Sequence, residues 1–299
     1  MTGVLWAVIA GVGLGVFQAI NRRAVLGMDV YQATFLQLLV SALILAAISL
    51  ATQDLHVLRI APPGALIHFS LAGLIHFFVG WTFLNASQKR IGASRTSPLT
   101  ATNPLFAAVV AAVTLREFPN LLAWVGMLLI IGGVYCISHG SDNAGGWRQS
   151  LPARQWRDVV FGLSAACCWA LSPIFTRKGL AGLPSPLLGV TVGLTASVLA
   201  YGVTLLCQRR LLALVAIPHD ALFFKTVAGI LAGVSTWNRW TALNLAPVTV
   251  VLALTLISVP VVMLLSPLVT DRHLEQVTSR VWLGAALVGG GVLFLIFNN

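Results

Sequence analysis

Trp81-Thr82-Phe83-Leu84-Asn85 returns later in the chain as Trp240-Thr241-Ala242-Leu243-Asn244, at an offset of 159 residues. Glu117, Trp124, Gly126, Gly132, Gly133 and Val134 return as Glu275, Trp282, Gly284, Gly290, Gly291 and Val292, with every internal spacing kept at an offset of 158. Pro104 finds Pro260 at 156. Offsets that differ only by loop-sized amounts identify a duplicated unit, and duplicated halves are a recurring architecture of membrane carriers.

Composition fixes the solvent. Soluble domains are about 45–50% apolar and about 25% charged. This chain of 299 residues is 58% apolar and 9% charged, with a mean hydropathy of +0.92. A soluble fold could not cover that much apolar surface, so lipid is the expected surrounding. The net charge of +10 reflects eight acids against eighteen bases. Those bases sit singly or in pairs between apolar stretches and not on one face, which argues against a nucleic-acid partner. Cys136, Cys167, Cys168 and Cys207 lie in or beside apolar stretches with no CxxC or Cys/His spacing, so they read as packing residues. The first apolar stretch lacks a basic leader and a small-residue cleavage site, and therefore reads as a membrane helix, not a signal peptide.

A membrane-crossing helix takes about 20 apolar residues at a rise of about 1.5 Å each. The gaps between charges then predict ten spans, at 2–22, 31–51, 64–86, 93–115, 121–138, 158–178, 186–207, 222–245, 248–269 and 280–297. The polar connection from His139 to Arg157 contains Gly140, Gly145 and Gly146. It divides the chain into a first repeat at 1–139, a linker at 140–157 and a second repeat at 158–299. A unit of five spans re-enters the membrane from the opposite side. The expected fold is therefore an all-α integral membrane protein of ten helices in two inverted five-helix repeats.

Charge supports that orientation. Arg22, Arg23, Lys89, Arg90, Arg95, Arg148, Arg154, Arg157, Arg209, Arg210, Lys225, Arg272 and Arg280 fall in loops after odd-numbered spans, against Arg59, Arg116, Arg177 and Lys178 after even ones. The positive-inside rule places the odd loops in the cytoplasm and both termini outside. Gly11 with Gly15, Gly189 with Gly193, and Gly229 with Gly233 form small-xxx-small faces for close helix packing.

Carrier sites lie near the midplane, often beside broken helices. Pro98, Pro104, Pro173, Pro260 and Pro267 each remove a backbone donor within a span and mark expected breaks. Thr100, Thr102 and Asn103 precede one repeat-related proline, Thr255 and Ser258 the other. Serine and threonine also bond back to their own helix, so lining a site and self-satisfaction both stay open. The amide of Asn103 is harder to satisfy that way. His68 and His76 share a helix face, but a two-histidine metal site wants a spacing of three or four and a third ligand, so neither a metal nor any other cofactor is expected. His76, near mid-span, is a site candidate or a neutral imidazole bonded to a neighbour; His68 reads as structural.

Arg239 either snorkels to the end of its span or faces a cavity and attracts a carboxylate. In the second case Trp237 or Trp240 supplies an apolar wall, and Phe17, Gln18, Trp169 and Ser172 complete an aromatic chamber with a few polar anchors. Asn21, at the expected end of span 1, reads as a cap or a gate. Asp29, Asp54, Glu117, Asp142, Asp158, Asp220, Asp271 and Glu275 map to loops or span ends, which disfavours proton antiport on a buried carboxylate. No phosphate-binding loop supplies ATP drive. Neither a nucleophile–base pair nor an acid-rich metal site is spaced for an enzyme.

Proline in the fourth helix of each half, then Glu117 or Glu275, then Gly126, Gly132 and Gly133 or Gly284, Gly290 and Gly291, form a combined pattern that resembles the drug/metabolite transporter superfamily in its ten-helix form built from two EamA-type domains. The resemblance covers essentially the whole chain. It implies a basket of two inverted five-helix bundles around a central cavity that opens alternately to the two membrane faces. The length and tryptophan-rich spans look most like bacterial exporters of aromatic amino acids. The resulting expectation is a monomeric carrier in the bacterial inner membrane that exports amino acids or related metabolites, with lipid and a small-molecule substrate as its partners. Multidrug, sugar or nucleotide-precursor transport stand as substrate alternatives, and a membrane scaffold or sensor as the alternative of another class.

Overall fold

A computed structural model describes residues 2–115, 121–138, 152–208, 217–270 and 277–297. The described part is helical throughout, in the order α1 (Thr2–Leu26), α2 (Val30–Thr52), α3 (His56–Ile60), α4 (Pro63–Gly73), a π-helical turn (Leu74–Gly80), α5 (Trp81–Ile91), α6 (Ala93–Thr100), α7 (Asn103–Leu115), α8 (Leu121–Ser138), α9 (Pro152–Gly182), α10 (Pro186–Cys207), α11 (His219–Leu245), α12 (Val248–Thr255), α13 (Ser258–Val269) and α14 (Ser279–Phe297). The ten apolar stretches are helical apart from short breaks within 93–115 and 248–269. Among the described residues six rods are long and apolar enough to cross a membrane: α1, α2, the continuous α4–π–α5 rod, α9, α10 and the α12–α13 rod.

Local chemistry sets several ends. Asp29 caps α2 through a capping box, its carboxylate accepting from Tyr31 N at 3.1 Å while Gln32 Oε1 accepts from Asp29 N at 2.9 Å. Ser185 caps α10, with Pro186 at its first position. Gly92 separates α5 from α6 at φ 86°, a left-handed conformation that a β-carbon would strain. The outward faces carry Leu43, Leu50, Leu128, Leu199 and Leu264, as a lipid-facing surface requires.

The helices meet where glycine lets them. Gly11 and Gly15 of α1 lie against Ile257 and Val261, Gly189 and Gly193 of α10 against Phe69 and Gly73, and Gly229 and Gly233 of α11 against Val40 and Ser41. α8 and α14 pack chiefly on one another. A β-carbon on Gly133 would lie 2.6 Å from Gly284 O, one on Gly284 2.8 Å from Gly133 O, and one on Gly291 2.5 Å from Gly126 O.

Several expectations change. α1 continues past position 22 to Leu26, so Asn21 lies inside a helix and does not cap it. α9 begins at Pro152 and runs unbroken through Pro173, while Pro98 and Pro267 also sit within helices. The breaks occur instead at Ala101–Thr102 and Leu256–Ile257, shortly ahead of Pro104 and Pro260. There each proline falls in the first turn of the following helix, where its missing N–H costs nothing. Lys225, expected in a loop, is fully buried within α11. Asp158 is buried inside α9 and pairs with Arg90 at 2.9 Å. The connection 139–151, Arg116, Glu117, Arg209, Arg210, Asp271, Arg272 and Glu275 lie outside the described residues, as does the side chain of Trp124.

Candidate functional site

The two broken rods bring four residues, Thr100, Asn103, Thr255 and Ser258, to one place. Together with Leu14, Phe17 and Gln18 of α1, His76 of the π turn, Trp81 of α5, Ala101, Trp169 of α9, Thr236 and Arg239 of α11, and Leu252 and Leu256, they enclose a cavity of about 50 Å³. That is room for a few waters at most. Ligand sites of metabolite size measure about 300–1,000 Å³, so the chamber stands contracted.

Its walls are aromatic. His76 stacks on Trp169 at 5.3 Å and 18°, and meets Phe77 edge-on at 4.9 Å. Trp81 packs against Phe77 at 4.9 Å and Phe17 at 6.3 Å. The π turn explains the first contact. A π turn leaves carbonyls without their usual α-helical donors, and Trp169 Nε1 donates to His76 O at 3.3 Å. Gly80 admits the indole: a β-carbon there would stand 2.7 Å from Trp169 Nε1. Because that neighbour is a rigid ring, Gly80→Ala should displace Trp169, unstack His76 and cost about 1–3 kcal/mol. Trp169 emission and thermal unfolding of the purified variant measure both effects, and an unshifted spectrum would refute the displacement.

The polar lining divides by partner. Thr100 Oγ1 donates to Ser97 O at 2.9 Å and Thr255 Oγ1 to Leu252 O at 3.0 Å, so both hydroxyls are tied to their own helix ends. Gln18 Oε1 is buried with no donor among the described residues. Arg239 is 6% exposed, which excludes snorkelling, and its guanidinium makes no hydrogen bond to any described residue. Among the described residues no acid lines the chamber. The first residues of α7 and α13 also face it, and the helix start at Ser258 has no side-chain cap. Two helix N-termini and a guanidinium make this a positive pocket.

Nine of the eleven residues proposed from sequence are therefore gathered here: Phe17, Gln18, His76, Thr100, Asn103, Trp169, Arg239, Thr255 and Ser258. Ser172 and Trp237 do not line the chamber. Ser172 is buried in α9, where its carbonyl accepts from Thr176 at 3.1 Å, and Trp237 packs against the main core. Trp240 stacks on Phe69 at 5.8 Å and on Phe77 at 6.2 Å, a core position. Sequence reasoning missed Trp81 and Thr236. The recurrence of Trp81 at Trp240 points to a shared scaffold role, yet the two positions serve different ends. His68 Nδ1 lies 2.6 Å from Gly64 O, a structural role.

Broken helical rods closing on a small positive chamber, inside a bundle whose exterior is apolar, are the architecture that a multi-pass membrane transporter of small molecules requires. Residues 1–139 match the model of the EamA-like transporter family, a family of the drug/metabolite transporter superfamily. A solved structure titled "Crystal structure of protein" superposes with a TM-score of 0.61 at 15% identity, covering 96% of this chain and 95% of its own. At that identity it shows the shared fold alone. No curated protein matches the chain.

Proposed function

We propose that the protein exports amino acids, including aromatic ones, across the bacterial inner membrane by alternating access. The observation that carries this reading is the Arg239 guanidinium, buried in the chamber without a described hydrogen-bond partner. A buried cation of this kind is completed by a bidentate carboxylate. The ammonium of the same substrate meets the faces of Trp81 and Trp169 and the free oxygen of Gln18, and an aromatic side chain extends the stack of His76 and Trp169. The contracted chamber fits an occluded or empty state, from which hinges at Ala101–Thr102 and Leu256–Ile257 open it.

The same reading takes the chain as ten spans in two inverted repeats, residues 1–139 and 158–299, with both termini outside. Support comes from the reciprocal glycine contacts of α8 and α14. Gly126 and Gly133 correspond in sequence to Gly284 and Gly291, yet Gly126 meets Gly291 and Gly133 meets Gly284. Such exchange is the mark of a two-fold axis perpendicular to antiparallel helices.

Efflux from proteoliposomes loaded with individual labelled amino acids tests the function. Saturable efflux, fastest for aromatic amino acids, is the expected result. Loss to the level of protein-free vesicles across the whole panel would reject it.

A further inference from the structure

Beyond the chamber the bundle buries two further cations that the site above does not use, Arg22, which donates to the backbone carbonyl of Gln88, and Lys225. Lys225 is fully buried. Its Nζ donates to Asn21 Oδ1 at 2.5 Å, Gln37 Oε1 at 2.8 Å and Asn85 Oδ1 at 3.2 Å. Asn21 Nδ2 in turn donates to Asn85 Oδ1 at 2.8 Å and Gln88 Oε1 at 2.6 Å, and Asn85 Nδ2 to Thr34 Oγ1 at 3.0 Å. Four helices, α1, α2, α5 and α11, are thereby joined through one ammonium and a set of neutral groups, with no carboxylate on Lys225 among the described residues.

The donor count is uneven. Gln37 Nε2 and Gln88 Nε2 are buried with no acceptor among the described residues. Their orientations are fixed, because turning either amide over would set its nitrogen against the N–H groups that its oxygen now accepts from. The cluster therefore combines a buried positive charge with two unused donors, a set that an anionic acceptor completes.

Its position is equally specific. On α1 the order is Gln18 in the chamber, Asn21 in the cluster, then Arg23 and Gly27 at an open vestibule of about 800 Å³. On α11 it is Arg239 and Thr236, then Lys225, then Ala221 and Asp220 at the same vestibule. Lys225 and Arg239 are fourteen residues apart, about 21 Å along the helix and within about 40° of the same face. On α5, Trp81 lines the chamber, and Asn85 and Gln88 follow one and two turns on.

We propose that Lys225 with Gln37 and Gln88 is a second carboxylate-binding station, closed in this state by the oxygens of Asn21 and Asn85. When α1 and α11 part, the amide oxygens leave Lys225 and the carboxylate of the incoming substrate takes their place before passing to Arg239. This rests on the proposed export of carboxylate-bearing substrates. It adds a loading site on the vestibule side and assigns the cluster as the gate there.

The test uses formate as the probe and detergent-purified full-length protein in the Arg239→Ala background, which removes the chamber's own cation. Thermal unfolding should move upward with formate concentration in Arg239→Ala. It should not move in Arg239→Ala/Lys225→Gln at the same concentrations, where ionic strength is matched. Gln37→Glu places a carboxylate beside Lys225 from within. In the Arg239→Ala background it should raise the unfolding temperature without formate and abolish the response to it, and this variant serves even if Lys225→Gln does not fold. A formate response that is absent from Arg239→Ala, or that persists in Arg239→Ala/Gln37→Glu, overturns the station. The proteoliposome panel separates the two readings: protein that responds to formate through Lys225 but carries no amino acid refutes the substrate assignment alone. An active exporter with no Lys225-dependent response refutes the station alone.

Discussion

Arg239→Ala is expected to reduce efflux of carboxylate-bearing substrates by about 30-fold to several thousand-fold, while the corresponding decarboxylated amines lose little. Truncating one member of a buried, hydrogen-bonded charge pair costs about 2–5 kcal/mol, and each 1.4 kcal/mol is about a tenfold change. The large end of that range applies because, among the described residues, no other cation lines the chamber in a position to substitute, His76 being engaged in its stack on Trp169. Arg239→Lys should recover part of the loss, since it restores charge but not the two-pronged donor geometry. The pair of substrates makes the measurement decisive. If carboxylate and amine efflux fall equally, Arg239 holds the bundle together and does not select what enters it.

The second large effect is on folding. A β-carbon on Gly73 would sit 2.2 Å from Gly193 O and 2.5 Å from Gly193 Cα. Both are backbone atoms, so no side-chain rotation relieves the clash, and α4 must move off α10. Gly73→Leu is expected to cost about 3 kcal/mol or more, at or above the upper end of ordinary overpacking. A marked fall in the unfolding temperature in detergent, with reduced yield of monodisperse protein, is the readout. Gly64→Ala provides the contrast, because nothing lies within 4 Å of its added carbon. That change should be neutral or slightly stabilising. Equal behaviour of the two variants would show that the α4–α10 seam can yield.

Helix placement was legible because apolar length is imposed by the surrounding lipid and charges punctuate it. The stretches at 121–138 and 186–207 coincide with α8 and α10 to the residue. Pro104 and Pro260 marked the neighbourhood of the two rod breaks, which fall two to four residues ahead of them. Pro98, Pro173 and Pro267, expected as breaks on the same ground, lie within helices because the packed bundle holds those helices through the lost bond. Lys225 was not legible, because treating every base as a loop marker removes a cation that neutral amides bury. The amides of its cluster, Asn21, Gln37, Asn85 and Gln88, come from three other helices, and only their shared placement in or beside apolar spans hints that they meet. The roles of Trp81 and Trp240 were obscured by their recurrence, for equivalent positions in a duplicated chain need not face equivalent surroundings.

The π turn at Leu74–Gly80 has a counterpart in chain length. From Gly73, packed on α10, to Trp81 is eight residues; from Gly233, packed on α2, to Trp240 is seven. The first half thus carries one surplus residue, and a π turn is how a helix absorbs it without breaking. In the proposed inverted arrangement, identical halves would give the two facings equal energy. In that proposed arrangement the inserted residue is one of the differences between the halves that lift the degeneracy, so the empty carrier is expected to favour one facing at rest.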